Sequence, residues 1–454
     1  MKIKRVLIAN RGEIAVRIIK ACKELGIETV AAVSEADKDS LPARMADRAI
    51  CIGPPRPIDS YLNIDALIYA ARGTNCDAIH PGYGFLAEQP ELAEACIKYG
   101  IIFIGPSPEN LRQMGDKLLA RKIVRDFGIP IIPGSEKINN FKEALRKCEE
   151  MKFPVLLKAS AGGGGRGIKI VNNIEELKIA FDKAAAEAKA AFGDETLYIE
   201  HYITNARHIE VQVIADHFGN VIHVGERDCS LQRRYQKIIE EAPAPSISSE
   251  IREAIRNAGV TIAKKMNYRS VGTVEFIFDQ DKKKFYFLEM NTRIQVEHPV
   301  TEMISGIDLV KEQINIASDY PLCLSQSDVR LQGHAIECRI NAESPKEGFQ
   351  PFPGRITEWL LPNENGIRID THCYKGYFVP PFYDSLIAKV ITSGKNREEA
   401  IKRMKKALES FVIKGIETTI PFLKYLLNQR DFIECKINTR WIEEILSNES
   451  LRLS

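Results

Sequence analysis

Among its 454 residues the chain has no Cys-x-x-Cys pair, no apolar run of bilayer length, no internal repeat and no low-complexity tract. Its ten cysteines stand singly between Cys22 and Cys435, a pattern of reduced thiols rather than disulfides or a structural zinc site. A net charge of +2 leaves no basic stripe for nucleic acid and no charged face for a membrane surface. Lys2, Lys4 and Arg5 precede Val6-Leu7-Ile8-Ala9, but this apolar run stops at Asn10-Arg11-Gly12-Glu13, too soon for a signal peptide. The expectation is a cytoplasmic protein with neither membrane nor nucleic acid as partner. What remains is ordinary globular material, 44% hydrophobic and 27% charged, long enough for two or three cores.

Strand and helix alternate from the start. Arg5 to Ala9 reads as a buried strand, then Ile14, Ile18, Ala21 and Leu25 mark one face of a helix that Gly26 stops. Thr29 to Val33, Ala78-Ile79 and Ile101 to Ile104 read as further strands, which makes a doubly wound α/β unit with a parallel sheet. The first turn carries only Gly12, so the three-glycine dinucleotide fingerprint is missing. From Asp116 to about Ile203 come a Lys/Arg-rich helix, a Pro130/Pro133-Gly134 turn, a helix from Phe141 to Met151 and the run Val155 to Gly167. Tyr198 to about Asp319 is hairpin-rich around a helix from Ser249 to Met266. Beyond Leu331 the chain is strand-rich to Ile391, then helices are expected at Arg397 to Phe411 and Pro421 to Asn428.

Val155 to Val171 reads as strand, lysine, glycine loop, strand. Gly162 to Gly165 free backbone N–H groups to turn toward an anion, and Lys158 adds a full positive charge; a plain surface loop is the bland alternative. Arg166-Gly167-Ile168 stands where a Walker A loop needs its lysine, which excludes that motif. Asp126-Phe127-Gly128 precedes the glycines and no His-Arg-Asp loop exists, which excludes a protein kinase.

Between Glu289 and Glu297 every second residue is polar: Glu289, Asn291, Arg293, Gln295 and Glu297. In an extended strand these share one face. Burying such a row unpaired costs roughly 2–7 kcal/mol per group, so the row is either a solvated face or a site. Its composition suits a metal at one end and an anion at the other. Val271 to Phe278 and Phe285 to Asn291 flank the polar turn Asp279 to Lys284, and a turn centred near Lys282 sets Glu275 opposite Glu289. Two facing carboxylates repel unless a cation sits between them, and with Asn291 they offer the hard oxygens that Mg²⁺ takes. His208, Glu210 and Gln212 alternate in the same way, followed by Arg227-Asp228, Gln232-Arg233-Arg234 and Lys237. Ala335, Glu337, Arg339 and Asn341 share another strand face, where Arg339 is a candidate anion binder.

Taken in order, these segments resemble the biotin carboxylases, the ATP-grasp subunits of biotin-dependent carboxylases. The resemblance runs from ANRGEIAVRI to about Arg440 and is carried by HPGYGFLAE (His80 to Glu88), KASAGGGGRG, RHIEVQV (Arg207 to Val213), RDCSLQRR and EMNTRIQVEHPVTE. It implies an α/β chain of three parts: a Rossmann-like N-terminal domain at 1–115, an ATP-grasp domain at 116–330 whose glycine-rich lid spans about 131–203, and a C-terminal α+β domain at 331–446. It further implies that Lys117, Lys158 and the backbone of Gly164 and Gly165 bind ATP phosphates, that Glu200 and Ile203 lie by the adenine, and that His208 contacts the nucleotide region. By the same resemblance Glu275, Glu289 and Asn291 hold Mg²⁺ or Mn²⁺. Lys237, Arg293, Gln295 and Val296 hold bicarbonate, Glu297 is its base, and Arg339 contacts both bicarbonate and the ureido oxygen of biotin. The implied reaction activates bicarbonate as carboxyphosphate and moves CO₂ to biotin.

Three positions depart from the family's usual residues. Tyr235 replaces a His by the ribose, Ile168 replaces a Met after the lid glycines, and His201 replaces a Lys beside the adenine segment. The first is expected to alter nucleotide affinity; the second is a volume-conserving swap. The biotin-attachment motif Ala-Met-Lys-Met is absent, so biotin is expected on a separate carrier protein, with carboxyltransferase subunits as further partners and a homodimer as the assembly. A different ATP-grasp ligase would keep the metal and lid residues with less reason for Arg293 to Glu297 or Arg339, and a nucleotide sensor would bind ATP without turnover.

Overall fold

The computed structural model describes residues 2–160 and 168–448. Its first unit is a five-stranded parallel sheet in the order Arg48–Cys51, Glu28–Val33, Arg5–Ile8, Ala78–His80, Ile102–Phe103. Alternation within the first strand serves two cores. Val6 and Ile8 pack with Ile14 and Ile18 of the helix Gly12–Glu24, whereas Leu7 faces Leu67 and Leu92 of the helices Ile64–Gly73 and Pro90–Lys98. Gly26, at φ +70, ends the first helix where a side chain would be strained. The edge strand Arg48–Cys51 is mostly exposed and so lacked the apolar signature of its neighbours.

Asp116 starts the next unit. Its carboxylate accepts from the N–H groups of Leu118 and Leu119, both at 3.0 Å, which caps the helix Lys117–Asp126 and fixes Lys117 in its first turn. Beyond it a small antiparallel sheet, ordered Ile168–Val171, Val155–Ala159, Leu197–His201, carries two helices, Phe141–Met151 and Ile174–Phe192. Val155, Leu157, Ala159 and Ile199 face those helices in a separate core, so Lys158 and Glu200 project from the other face.

The largest element is an eight-stranded antiparallel sheet: Lys284–Asn291, Ser270–Asp279, Ala206–Ala215, Val221–Arg233, Gln236–Ala242, His334–Asn341, Leu386–Gly394, Ile367–Thr371. The last three strands lie beyond residue 331, so one sheet runs through the middle and C-terminal parts of the chain. On one face the helix Ser249–Lys265 packs Ile255, Ala258 and Ile262 against Val211, Val274 and Phe276. The other face is polar, yet all ten residues of Ala206–Ala215 are buried, because the loop and helix that follow Asn291 cover it. No helix among the described residues is long and apolar enough to cross a membrane.

The hairpin Ser270–Asp279/Lys284–Asn291 contains a β-bulge. Asp279 pairs with Lys284 and Phe276 with Phe287, but Glu275 pairs with Glu289 rather than Leu288. Leu288 is the additional residue. The bulge keeps Phe287 and Met290 in the same core and turns Glu289 and Asn291 to the polar face beside Glu275 and Thr273.

Candidate active site

The polar face is held together by ion pairs between strands. Glu210, Glu275 and Glu297 are 0%, 3% and 2% exposed, and all three reach one ammonium: Lys237 Nζ donates to them at 2.6, 2.9 and 2.6 Å. Arg227, fully buried, makes five hydrogen bonds, to Glu210 (2.5 Å), Gln212, Thr301, Thr273 and Gln295. Gln295 in turn donates to Glu275 at 2.7 Å. Arg339 bridges Glu240 and Glu297, its Nε at 2.5 Å from the former and a terminal nitrogen at 2.9 Å from the latter. Glu210, Glu275, Glu297, Arg227, Lys237 and Arg339 therefore each have an opposite charge in contact, the condition under which burial is tolerable.

The polar row is not one strand throughout. Regular pairing ends at Asn291, and Thr292 to Glu297 form an irregular loop into the helix His298–Ser305. The loop exists because its side chains bond inward. Arg293 Nε donates to Glu88 at 2.9 Å and its terminal nitrogen to Asn291 at 2.9 Å, while Glu88 also accepts from Thr292 N–H. Glu297 occupies the N-cap position, yet its carboxylate turns to Lys237 and Arg339 instead of capping. Lys389 donates to the carbonyl of Val296 at 2.7 Å and anchors the same turn from below.

Lys117 Nζ lies 3.8 Å from Glu289. Lys158 pairs with Glu200 at 2.5 Å, and Arg121 holds the other oxygen of Glu200 and the carbonyl of Ile132. Ile203 is buried just past that strand, and His208 Nε2 lies 2.9 Å from Glu275. Gly164 and Gly165 lie outside the described residues. Tyr235 shares a two-residue hairpin turn with Arg234, both at positive φ (+65 and +49), a strained geometry for side-chain-bearing residues. The Tyr235 ring is 44% exposed at that tip.

The electrostatics follow from burial and pairing. Burial raises the proton affinity of Glu297, but Lys237, Arg339 and Arg227 more than reverse it and keep the group ionised far below the usual carboxylate range. Glu275 is likewise lowered against burial, by Lys237 and His208. Glu200 is lowered against burial by Lys158 and Arg121. For a divalent cation, Glu275 and Glu289 face each other across the hairpin with the Asn291 amide beside them, an all-oxygen donor set of the kind Mg²⁺ takes. A second trio, His208, Glu210 and Glu275, brings donor atoms within 4.8 Å, but Glu210 is already committed to Arg227 and Lys237. The residues expected at the metal fit.

Residues 2–111 match the family model of the biotin carboxylase N-terminal domain, 116–325 that of the carbamoyl-phosphate synthase L chain ATP binding domain, and 337–444 that of the biotin carboxylase C-terminal domain. Biotin carboxylase 1 of Bacillus subtilis is 55% identical over 442 residues, covering 97% of this chain and 98% of its own length. The chain belongs to the biotin carboxylase family. A pyruvate carboxylase subunit of Methanothermobacter thermautotrophicus is 50% identical over 97% of the chain and 89% of its own length. Among solved structures, biotin carboxylase of Campylobacter jejuni in complex with β-γ-ATP superposes with a TM-score of 0.95 at 48% identity, over 98% of this chain and 99% of that one. The biotin carboxylase domain dimer of Hydrogenobacter thermophilus 2-oxoglutarate carboxylase, solved with MgADP, ADP and bicarbonate, gives 0.94 at 50% identity over 98% of both chains.

Within this biotin carboxylase fold Lys237, Glu275, Asn291, Arg293, Gln295, Glu297 and Arg339 form one connected network, while Lys158 and Glu200 form a second on the small sheet. Arg227, Glu240 and Arg121 also belong to these networks, although sequence reasoning gave them no part. The His208-Glu210-Gln212 alternation pointed at the face on which Arg227 lies. Arg121 gave no signal beyond belonging to a basic helix.

Proposed function

We propose that the chain uses ATP and bicarbonate to carboxylate biotin presented on a separate carrier protein, with Glu297 as the base and Lys237 and Arg339 as the cations that receive the anion. As a member of the biotin carboxylase family it is an ATP-dependent ligase acting on biotin. One observation carries the residue roles: a buried carboxylate clamped between two cations, Lys237 at 2.6 Å and Arg339 at 2.9 Å, on the loop that also holds Arg293.

A carboxylate so clamped is a poor base. A bicarbonate entering between the cations competes for them, loosens their hold on Glu297 and raises its proton affinity where a proton must be taken. Arg293, Lys237 and Gln295 orient the anion for attack on the terminal phosphate, the collision of two anions being made possible by the surrounding positive charge. Lys117 and Lys158 bind the phosphates, Glu200 and Ile203 lie by the adenine, and His208 contacts the nucleotide region. Mg²⁺ or Mn²⁺, held by Glu275, Glu289 and Asn291, would supply further neutralisation of the triphosphate. The backbone of Gly164 and Gly165, and Val296, complete the anion contacts; carboxyphosphate breaks to CO₂ and phosphate, the phosphate takes the N1′ proton of biotin, Arg339 stabilises the resulting ureido oxyanion, and N1′ then bonds to CO₂. Closure of the glycine-rich lid excludes the water that would hydrolyse carboxyphosphate.

The reading divides the chain at 1–115, 116–330 with the lid at about 131–203, and 331–446. It works in the cytoplasm as a homodimer, with a biotin carboxyl carrier protein and a carboxyltransferase that selects the final acceptor. Relatives named for pyruvate and for 2-oxoglutarate carboxylation support that separation of tasks. Glu297→Gln tests the assignment: bicarbonate-dependent ATP cleavage should fall by roughly 10²–10⁴-fold while nucleotide binding persists. Undiminished turnover would remove Glu297 from the base role.

A further inference from the structure

Behind Arg339 lie two carboxylates that the reaction as described does not use. Glu240, on Gln236–Ala242, pairs directly with Glu337, on His334–Asn341, and both are 0% exposed. Their side chains share a face with Arg339, two residues further along its strand. Glu240 Oε1 accepts from Arg339 Nε at 2.5 Å. Among the described residues, Glu240 Oε2 and both oxygens of Glu337 have no hydrogen-bond partner. Directly opposed residues on one sheet face have Cβ atoms only about 4.5–5.5 Å apart, where two buried anions repel strongly even with Arg339 and Lys389 nearby.

We propose that Glu240 and Glu337 form a positioning pair that retains one proton, fixes the Arg339 guanidinium and sets how much positive charge Arg339 presents to the bound anion. The proposal rests on the reading that Arg339 receives bicarbonate and biotin. The charges facing the pair are Arg339 and Glu297 on one side, Lys389 beyond Arg339, and Lys237 beside Glu297, with the Cys229 and Cys338 thiols nearby. Arg339 already faces one full anion in Glu297, at 2.9 Å. A singly charged pair and Glu297 together set two anions against the two cations Arg339 and Lys389, which leaves the group near balance and able to accept a further anion. A doubly charged pair would overcompensate it. Geometry and proton affinity agree: burial brings Glu240 up to about 7 in spite of Arg339, and burial, with Glu240 opposite, pushes Glu337 well above the ordinary carboxylate range in spite of Lys389. The pair loses its protons in two coupled steps, of which the second governs Arg339.

The sign follows. As pH rises, loss of the retained proton adds negative charge behind Arg339, so anion binding weakens. In the full chain, KM for bicarbonate should therefore rise roughly ten-fold between pH about 7 and about 9, whereas the double variant Glu240→Gln with Glu337→Gln, in which neither group can ionise, should show a flat profile. Glu240→Gln should lower biotin-dependent turnover roughly 10–100-fold with KM for ATP unchanged, the behaviour of a lost supporting contact. Infrared spectra near neutral pH should show a buried protonated-carboxyl C=O band that Glu337→Gln lacks. A rise in KM that persists in the double variant, or a wild-type profile that is already flat, overturns the proposal. So does a wild-type spectrum without that band, which decides the matter even if the variants do not fold. Arg339→Ala separates the two levels. If it leaves bicarbonate and biotin dependence intact, the role of Arg339 is wrong; if it damages them while the double variant keeps the pH response, only the pair is wrong.

Discussion

The large sheet and the small lid sheet solve the same problem with opposite charge ratios. On the large sheet one lysine, Lys237, is shared by three carboxylates, Glu210, Glu275 and Glu297. On the lid sheet one carboxylate, Glu200, is shared by two cations, Lys158 and Arg121. A surplus of acid suits a divalent metal, and a surplus of base suits a polyphosphate. The contrast extends to packing. The large sheet is tied by multiply bonded residues such as Arg227, while the small sheet closes a core of its own with its two helices and is joined through the contact of Arg121 with Glu200.

Breaking the acid-rich side should have the largest effect. Lys237→Met removes the ammonium that joins three buried carboxylates, and bicarbonate-dependent turnover should fall roughly 10²–10³-fold in steady-state assays. Breaking the base-rich side should be milder and of another kind. Arg121→Ala leaves Glu200 with Lys158 alone, so Lys158 is held more closely to its carboxylate and is less available to phosphate. KM for ATP should rise roughly ten-fold with kcat little changed. An equal fall of kcat in both variants would erase the distinction between the two sheets.

The smallest effect concerns stability. On the far side of the large sheet Glu241 is held at about 2, against burial, by His334 and Arg397. Its folded value lies below the ordinary 4.5, so its contribution is complete above about 4.5 and is lost as the pH falls toward about 2. In thermal melts across that window Glu241→Gln should lose less Tm than the wild type, because it has no such proton to take up.

Much of this was legible beforehand because the physics was local. Four apolar residues at helical spacing placed Gly12–Glu24, with Gly26 after it, and the polar run Asp279 to Lys284 placed the hairpin. The helix expected at Phe141 to Met151 has those bounds. What stayed hidden was set at long range. Ala206–Ala215 is buried on both faces, so its burial shows no alternation to mark a partner strand. The contact between Glu240 and Arg339 spans 99 residues and depends on a sheet that crosses from the middle of the chain into its C-terminal part. The end of the strand at Asn291 is invisible in an alternation that runs on through Glu297, because inward hydrogen bonds replace the strand ladder there.

Leu288 gives the hairpin a change of parity. Before it, odd-numbered residues of the strand point into the apolar core; after it, even-numbered ones do. Straightening the bulge with Leu288 kept in the ladder would set Leu288 opposite Glu275 and exchange Met290 for its neighbours Glu289 and Asn291 across the sheet. One residue taken out of the ladder thus decides which face of the sheet Glu289 and Asn291 occupy.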